Sequence, residues 1–309
     1  MNERSVILWG CGNGGAYAYE HLKTKADIIA FADKNDTKIG REYMGKPIVS
    51  AEQIKAEYPD AVILNTVMSI PHDLLVEELR QKEIYNEIYK YTEFLDSDSI
   101  ECRRDECAEF HETCMEQYFK NAEDENNLNV FWGESSPFRK MFAQLDTSNI
   151  VELACGRGRH VPWYMNKAET IILIDILEKN IELCKERFKN IDKISCYVNS
   201  GCDMTMVGDN SASAVFSYDS MVHFESIDVF HYLQETYRVL KPGGMALYHH
   251  SNNDKDYKAT FLSGESGRNY MSMSLFAHFA DRAGLRVVEQ VEVPWGKNLI
   301  DGITLLIKD

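Results

Sequence analysis

No apolar run in the 309-residue chain approaches the roughly 18 residues that a membrane-crossing helix needs. The first residues, MNERSVILWG, carry neither a basic stretch nor a cleavage site, so they do not read as a secretory signal. These absences lead us to expect a cytoplasmic protein. Basic residues are scarce as well: 33 Lys and Arg stand against 49 Asp and Glu, a formal net charge of −16. A surface this acidic repels phosphate backbones, so nucleic acid is not expected as substrate or partner. Much of the excess is local, between Glu101 and Glu125. There is no solenoid-type repeat and no low-complexity tract. Neither proline nor glycine occurs in residues 94–127, which excludes a flexible linker there. A C-x2-C knuckle is also missing. The eight cysteines, Cys11, Cys102, Cys107, Cys114, Cys155, Cys184, Cys196 and Cys202, are expected to be reduced thiols. Cys102, Cys107, His111 and Cys114 cluster on what reads as one helix, and without the knuckle spacing no metal is expected on them.

What is present is a recurring pattern, a strand followed by a glycine-rich turn and a helix. It occurs at Val6–Gly15 and again at Ile150–His160, each time with a second strand ending in Asp. The pattern predicts an α/β chain with two tandem nucleotide-binding-type units. The first spans residues 1–93. Its strands are expected at Ser5–Trp9, Asp27–Ala32, Lys46–Ile48, Ala61–Asn65 and Glu83–Tyr89. Its helices are expected at Gly14–Thr24, Ser50–Tyr58 and from a Ser69 cap to Gln81. Residues 94–127 form an acidic helical connector. The second unit spans 128–309, with strands at Ile150–Ala154, Thr170–Asp175, Ile194–Asn199, Ala214–Tyr218 and Met245–His250. Helices are expected at Asn180–Phe188, Asp228–Leu240 and Leu275–Ala283. The runs Arg286–Val293 and Asp301–Ile307, joined by Pro-Trp-Gly-Lys, predict a closing antiparallel hairpin.

The turn Glu152-Leu-Ala-Cys-Gly-Arg-Gly-Arg-His160 follows a strand. Gly156 and Gly158 let the backbone approach a ligand closely. Asp175 ends the next strand, where a carboxylate can accept the hydroxyls of a ribose. A dinucleotide would want a third glycine where His160 and Val161 stand. On these residues the second unit resembles a class I S-adenosylmethionine-dependent methyltransferase. The run Val151–Gly158 matches that family's first motif, with Ala154 where a glycine is usual, and Asp175 matches its ribose acid. Val239-Leu-Lys-Pro-Gly-Gly-Met245 matches the turn before its fifth strand. The resemblance implies S-adenosylmethionine as cofactor and a seven-stranded sheet. It implies that Gly201–Met206 holds adenine, with Asp203 facing the amine and Met204 on the ring. Glu152 would hold the methionine amine, and Tyr218 would border the same crevice. Phe131 and Trp132 would cover the methionine end or pack in the core.

Ligands of open α/β sheets lie beyond the carboxyl ends of the strands. Methyl transfer to a hydroxyl needs alignment and a base. The fourth strand ends in Tyr218, Asp219 and His223, the fifth in His249, His250, Asn252 and Asn253. Histidine is the natural base near neutrality, so His223, His249 and His250 are candidate bases, with Asp219 beside them. Asn252 and Asn253 are expected to bind a polyhydroxyl acceptor, and Arg268, in the loop from Ser263 to Met273, to bind it too or its anionic group. Some methyltransferases hold a divalent ion with acids after the fourth strand and acid or amide ligands after the fifth, and Asp219, Asn252 and Asn253 occupy comparable places. Here histidine replaces the second acid, which disfavours Mg²⁺, and no metal is assigned.

In the first unit, Gly10, Gly12, Asn13, Gly14 and Gly15 form G-x-G-x-x-G between a strand and a helix, with Asp33 ending the second strand. This unit resembles the N-terminal domain of bacterial sugar O-acyltransferases, which implies a nucleotide or nucleotide-sugar site at those residues. The expected function is therefore O-methylation of a saccharide or saccharide-linked group, with a small-molecule or glycan acceptor. Nothing in the sequence opposes a homo-oligomer. The competing readings are an NAD-dependent oxidoreductase working through the first unit and a non-catalytic nucleotide sensor.

Overall fold

The computed structural model describes residues 4–95, 99–295 and 299–309. The chain divides into two compact units, residues 1–102 with 262–267, and residues 103–261 with 268–309.

The first unit runs β1 (Ser5–Trp9), α1 (Asn13–Leu22), β2 (Asp27–Ala32), β3 (Glu42–Tyr43), β4 (Lys46–Val49), α2 (Ala51–Glu57), β5 (Val62–Asn65), α3 (His72–Gln81) and β6 (Ile88–Lys90). Its six strands lie in the order β3-β4-β2-β1-β5-β6. All pair in parallel except β3 with β4. β1 and β5 are apolar along nearly their whole length because helices cover a parallel sheet on both faces, and all four residues of β5 are buried. Ser50 caps α2 in a reciprocal box with Gln53. Ser69 does not cap α3. That helix starts only after Pro71, which is itself extended at ψ 141° and takes the N-cap position. Glu83 does not begin a strand either: it takes a φ of 59° to end α3, and β6 forms later. The small β3 hairpin had no signal in the sequence, since two residues carry no periodicity.

The rest of the chain starts with helices α4 (Ile100–Cys114), α5 (Glu116–Asn121), α6 (Glu125–Trp132) and α7 (Pro137–Phe142). Then come β7 (Asn149–Leu153), α8 (Val161–Tyr164), β8 (Thr170–Asp175), α9 (Glu178–Arg187), β9 (Ile194–Val198), β10 (Ala212–Ser217), α10 (Ser226–Val239), β11 (Leu240–His250), α11 (Met273–Arg282), β12 (Arg286–Trp295) and β13 (Leu299–Ile307). The seven strands are ordered β12-β13-β11-β10-β7-β8-β9. β13 is antiparallel to both neighbours, as the hairpin reading expects. Part of the joining turn, residues 296–298, lies outside the described residues. The helix after the glycine turn is a single turn, α8, because residues 155–160 are spent on the turn itself.

Strand alternation divides the core between the two faces of this sheet. Phe216 packs with Phe138, Phe142, Tyr164 and Leu305 on one face. Val215 packs with Leu153, Tyr232, Tyr248 and Phe276 on the other. Each such buried side chain contributes about 1.5–3 kcal/mol relative to exposure. Among the described residues no helix is long and apolar enough to cross a membrane.

In the first unit α1 lies so close to β1 that a Cβ on Gly15 would stand 2.0 Å from the Gly10 carbonyl oxygen. Backbone cannot yield as a side chain can, so Gly15→Ala should destabilise this unit by about 2 kcal/mol or more. Urea unfolding followed by far-UV circular dichroism checks this; a midpoint equal to wild type would contradict it.

Candidate functional site

β7 ends at Leu153 and the chain turns immediately. Ala154, Gly156 and Gly158 all take left-handed conformations, with φ of 52°, 55° and 73°. Ala154 is thus a genuine departure from glycine: its Cβ sits where L-residues are disfavoured by about 1–2 kcal/mol. Gly158 is required twice over, because a Cβ there would also meet Phe188 at 2.6 Å.

Asp175, at the end of β8, fastens this turn. Its Oδ2 accepts from the Gly156 amide at 2.8 Å, and its Oδ1 from the Leu177 amide at 2.9 Å and from Asn180 Nδ2 at 3.2 Å. A carboxylate has about four acceptor positions, so one remains for a ligand hydroxyl. Burial nevertheless dominates and pushes the carboxyl up to about 6 against those hydrogen bonds. Glu152, on the adjacent strand β7, is 2% exposed. Burial pushes it up to about 8, although the Tyr164 hydroxyl donates to it at 2.5 Å and Arg159 and Arg187 act at a distance. Neither acid is ion-paired among the described residues. Two buried acids without a bonded cation, beside a turn open to close approach, fit a cationic ligand that brings a diol and an ammonium. S-adenosylmethionine is such a ligand.

The adenine assignments change. Asp203 does not face outward: its carboxylate ties its own loop, accepting from Ser200 N and Oγ and from Thr205 N and Oγ1. Those bonds outweigh partial burial and hold it at about 2. Met204 is fully buried in the core beneath the sheet, so it has no free face for a ring. What lines this end instead is Gly201. A Cβ on it would stand 2.7 Å from Ile176 Cδ1 and 2.5 Å from Arg104 Cδ. Helix α4 thus borders this loop, and α5 roofs the glycine turn. Phe119 lies over Gly156, Arg157 stacks 4.8 Å from its ring centre, and Glu116 pairs with Arg157 at 2.6 Å. Phe131 and Trp132 are core residues, and Trp132 Nε1 donates to His160 Nδ1 at 3.0 Å.

The strand ends are joined by a buried polar chain. Asp219 takes a φ of 60°, a strained choice of the kind that gathers at functional sites. Its Oδ2 accepts from Tyr118 at 2.5 Å and Arg159 at 2.9 Å. Burial raises this carboxyl, but Arg159, His249 and Tyr118 outweigh that and hold it below its ordinary value. The Asp219 amide donates to His249 Nδ1 at 3.1 Å, so the proton of a neutral His249 sits on Nε2. That nitrogen lies 3.2 Å from Asp301 Oδ2, close but poorly aligned. Asp301 in turn takes Arg268 at 2.7 Å; burial raises it, and His249 and Arg268 together bring it to about 2. Tyr218 stacks on His249 at 4.6 Å.

Not every expected residue reaches this site in the expected role. His249 is fully buried, with Nδ1 taken by the Asp219 amide and Nε2 turned towards Asp301. His250 is fully buried too, with Nδ1 2.8 Å from the Ser251 carbonyl and Nε2 2.8 Å from Thr304 Oγ1. It stacks on Phe276, and burial lowers it to about 4. Arg268 is 3% exposed and paired, so it holds the fold rather than an anion. Asn252 Oδ1 caps Met273 N, and Asn253 Nδ2 donates to the Arg268 carbonyl, leaving one amide atom of each. His223 is only half-buried. Its ring lies 5.3 Å from His111 and 5.2 Å from Phe261, and Asn269 Nδ2 holds its carbonyl at 2.7 Å. Tyr118, Arg159, His111 and Asp301 were not foreseen. Arg159 stands inside the glycine motif, the one signal available; the other three belong to distant elements.

In the first unit the glycine loop precedes α1, whose N-cap Gly12 has no capping side chain, and Tyr43 donates to the Gly12 carbonyl. Asp33, however, is already compensated: Lys38 Nζ lies 2.8 Å from it, and the Cys11 and Asn35 amides donate to it. A small cavity opens elsewhere, lined by Asn65, Val67, His72, Lys90, Thr92 and Ser263. In the second unit's leading helix, Cys102 is exposed while Cys107 and His111 face inward, with His111 Nδ1 against the Cys107 carbonyl. Of that run, Cys107 Sγ and His111 Nδ1 lie 3.7 Å apart.

Residues 151–248 match a family model described as a methyltransferase domain, and residues 2–88 match one described as C2185-like, N-terminal. No curated protein matches the chain. Among similar solved structures, a SAM-dependent methyltransferase from Aquifex aeolicus is 18% identical, with a TM-score of 0.47 over 62% of this chain and 97% of its own. One from Methanosarcina mazei is 13% identical, with a TM-score of 0.46 over 55% and 96%. One from Mesorhizobium loti is 12% identical, with a TM-score of 0.46 over 55% and 96%. The second unit thus carries, at residues 151–248, a stretch that matches a methyltransferase domain.

Two predictions concern the turn and its acids. Ala154→Gly removes left-handed strain but loosens the unfolded chain, so it should leave stability equal or raise it by up to about 1 kcal/mol. Gly158→Ala should lower stability; thermal melts compare the two. Glu152 protonates more readily folded than unfolded. It therefore costs stability from about pH 4.5 upward, increasingly to pH 8. Glu152→Gln should be more stable than wild type by about 1–3 kcal/mol at pH 7.5, with the gap closing towards pH 5. The same variant should bind S-adenosylmethionine more weakly. Melts across pH and calorimetry with the cofactor test both halves, and weaker binding without the stability gain would refute the burial argument.

Proposed function

We propose that this enzyme transfers the methyl group of S-adenosylmethionine to a hydroxyl of a saccharide or saccharide-linked group, with His223 as general base. The observation that carries the reading is the pair of buried, unpaired acids, Glu152 and Asp175, at the ends of β7 and β8. S-adenosylmethionine, when bound, supplies a methyl group already activated on a sulfonium. Asp175 keeps one acceptor position for a ribose hydroxyl, and Glu152 takes the ammonium. Gly156 and Gly158 admit the ligand to the backbone, and Phe119 excludes water from above.

His223 is preferred as base because it alone of the three strand-end histidines is partly open. Burial keeps His111 below its ordinary pKa, hence neutral, so it does not oppose a proton arriving on His223. Asn269 fixes the His223 backbone, which limits the wandering of the ring. The charges nearby are balanced within the chain, Arg159 by Asp219 and Arg268 by Asp301. A neutral polyhydroxyl acceptor fits that balance better than a phosphate or a carboxylate. Asn252 and Asn253 each retain an amide atom for such hydroxyls. The compensated Asp33 weighs against a dinucleotide in the first unit, and so against the oxidoreductase reading.

His223→Ala should lower kcat by about 10²–10⁴-fold while the cofactor dissociation constant, by calorimetry, stays unchanged. His250→Ala should instead lower the melting temperature. Turnover is followed with methyl-labelled cofactor and a panel of free, nucleotide-linked and lipid-linked sugars, read by mass spectrometry. Full turnover in His223→Ala would remove it as the base; label on none of the sugars would remove the saccharide class.

A further inference from the structure

Beyond the cofactor crevice, one cluster of ligating side chains serves no role described so far. Cys202 stands in the loop after β9. Asp228 and His231 stand three residues apart on α10, on one face of that helix. One ligand atom from each, a sulfur, a carboxylate oxygen and a ring nitrogen, lie within 4.8 Å of one another. We propose that Cys202, Asp228 and His231 form a binding site for a divalent transition-metal ion of the zinc class, independent of the methyl-transfer reading.

The chemistry of the set selects the ion. A thiolate with an imidazole is soft for Mg²⁺ or Ca²⁺ and suits Zn²⁺. Tetrahedral Zn²⁺, with bonds of about 2.0–2.3 Å, places its ligands roughly 3.3–3.8 Å apart. The present spread closes to that by small side-chain rotations. Burial is graded suitably: Asp228 is 2% exposed, Cys202 is half-buried and His231 is exposed. The ion enters from the His231 side, where water completes the fourth position. On binding, the Cys202 thiol gives its proton to solvent and the Zn–S bond forms; nothing is oxidised or reduced.

Arg104 is the main objection. Its Nε lies 3.0 Å from Asp228 Oδ2 and its Nη2 2.5 Å from Oδ1. These two bonds occupy only half of the carboxylate's roughly four acceptor positions, so a monodentate metal bond fits beside them. Thiolate and carboxylate together neutralise the dication, and Arg104 orients the carboxylate from behind, as outer partners of metal ligands commonly do. Because Cys202 follows Gly201 directly, an ion here pins the loop that borders the crevice to α10.

The test uses the full chain after chelation and dialysis, titrated with Co²⁺ as a spectroscopic stand-in for Zn²⁺. One equivalent should produce a sulfur-to-cobalt charge-transfer band with tetrahedral visible bands, and Zn²⁺ should abolish both. Cys202→Ser should lose the charge-transfer band. His231→Ala should weaken Co²⁺ binding by 10-fold or more; its site is exposed, so its far-UV circular dichroism should match wild type. Absence of the band in wild type would overturn the site, as would a band that survives in both variants and so belongs to other thiols.

Discussion

Two carboxyls buried without a counter-charge set the terms for the second unit. Glu152 and Asp175 end adjacent parallel strands, both pushed upward by burial, and the Asp175 charge raises Glu152 a little further. A protein keeps such a pair only where something offsets desolvation. Backbone amides do part of this for Asp175. For Glu152 the Tyr164 hydroxyl is the one direct partner identified. On the reading proposed above the remainder falls to a ligand, and a cation carrying a diol would match both groups at once. Affinity and folding stability are therefore opposed at these positions, the usual signature of a binding site rather than a scaffold.

A second constraint runs crosswise. Asp219, in a left-handed conformation, collects α5 through Tyr118, the glycine turn through Arg159 and β11 through His249. His249 then reaches Asp301 on β13, and Asp301 reaches Arg268. Five elements are thereby fixed by one continuous polar chain in which each charge has a partner. Such a network is stable when complete and costly when broken at any member. It explains why so many polar residues at the strand ends face inward. They hold the ends of these strands in place against one another.

Much of the fold was legible in the sequence because buried parallel strands are short apolar runs with sharp ends. Ser5–Trp9, Asp27–Ala32 and Thr170–Asp175 are examples where the composition itself marks the boundary. The failures have physical causes. Pro71 moved the start of α3 past Ser69, since a residue before proline avoids the helical region. Met204 read as a ring-stacking side chain because spacing places it in the right loop, yet spacing does not say which way a side chain turns. His249 and His250 alternate across the strand as expected, but both faces there are covered, which the sequence does not state. Asp301 is far from His249 in the chain, and only antiparallel pairing of β11 with β13 brings them together.

The two glycine turns show why a motif alone does not decide a site. Both follow a strand, both precede an acid at the end of the next strand, and in both the acid accepts a backbone amide of the turn. The difference is what else touches the acid. Asp33 lies against Lys38, five residues on, whose ammonium also reaches the Cys11 carbonyl; that turn is closed by its own ion pair. Asp175 is followed instead by Asn180, five residues on, which donates a hydrogen bond but carries no charge. One turn therefore pairs its acid with a cation of the chain, and the other leaves a buried carboxylate that, among the described residues, has only neutral donors. The same backbone device is closed by an ion pair in the first unit and by neutral hydrogen bonds in the second, and the difference is lysine against asparagine at equivalent spacing.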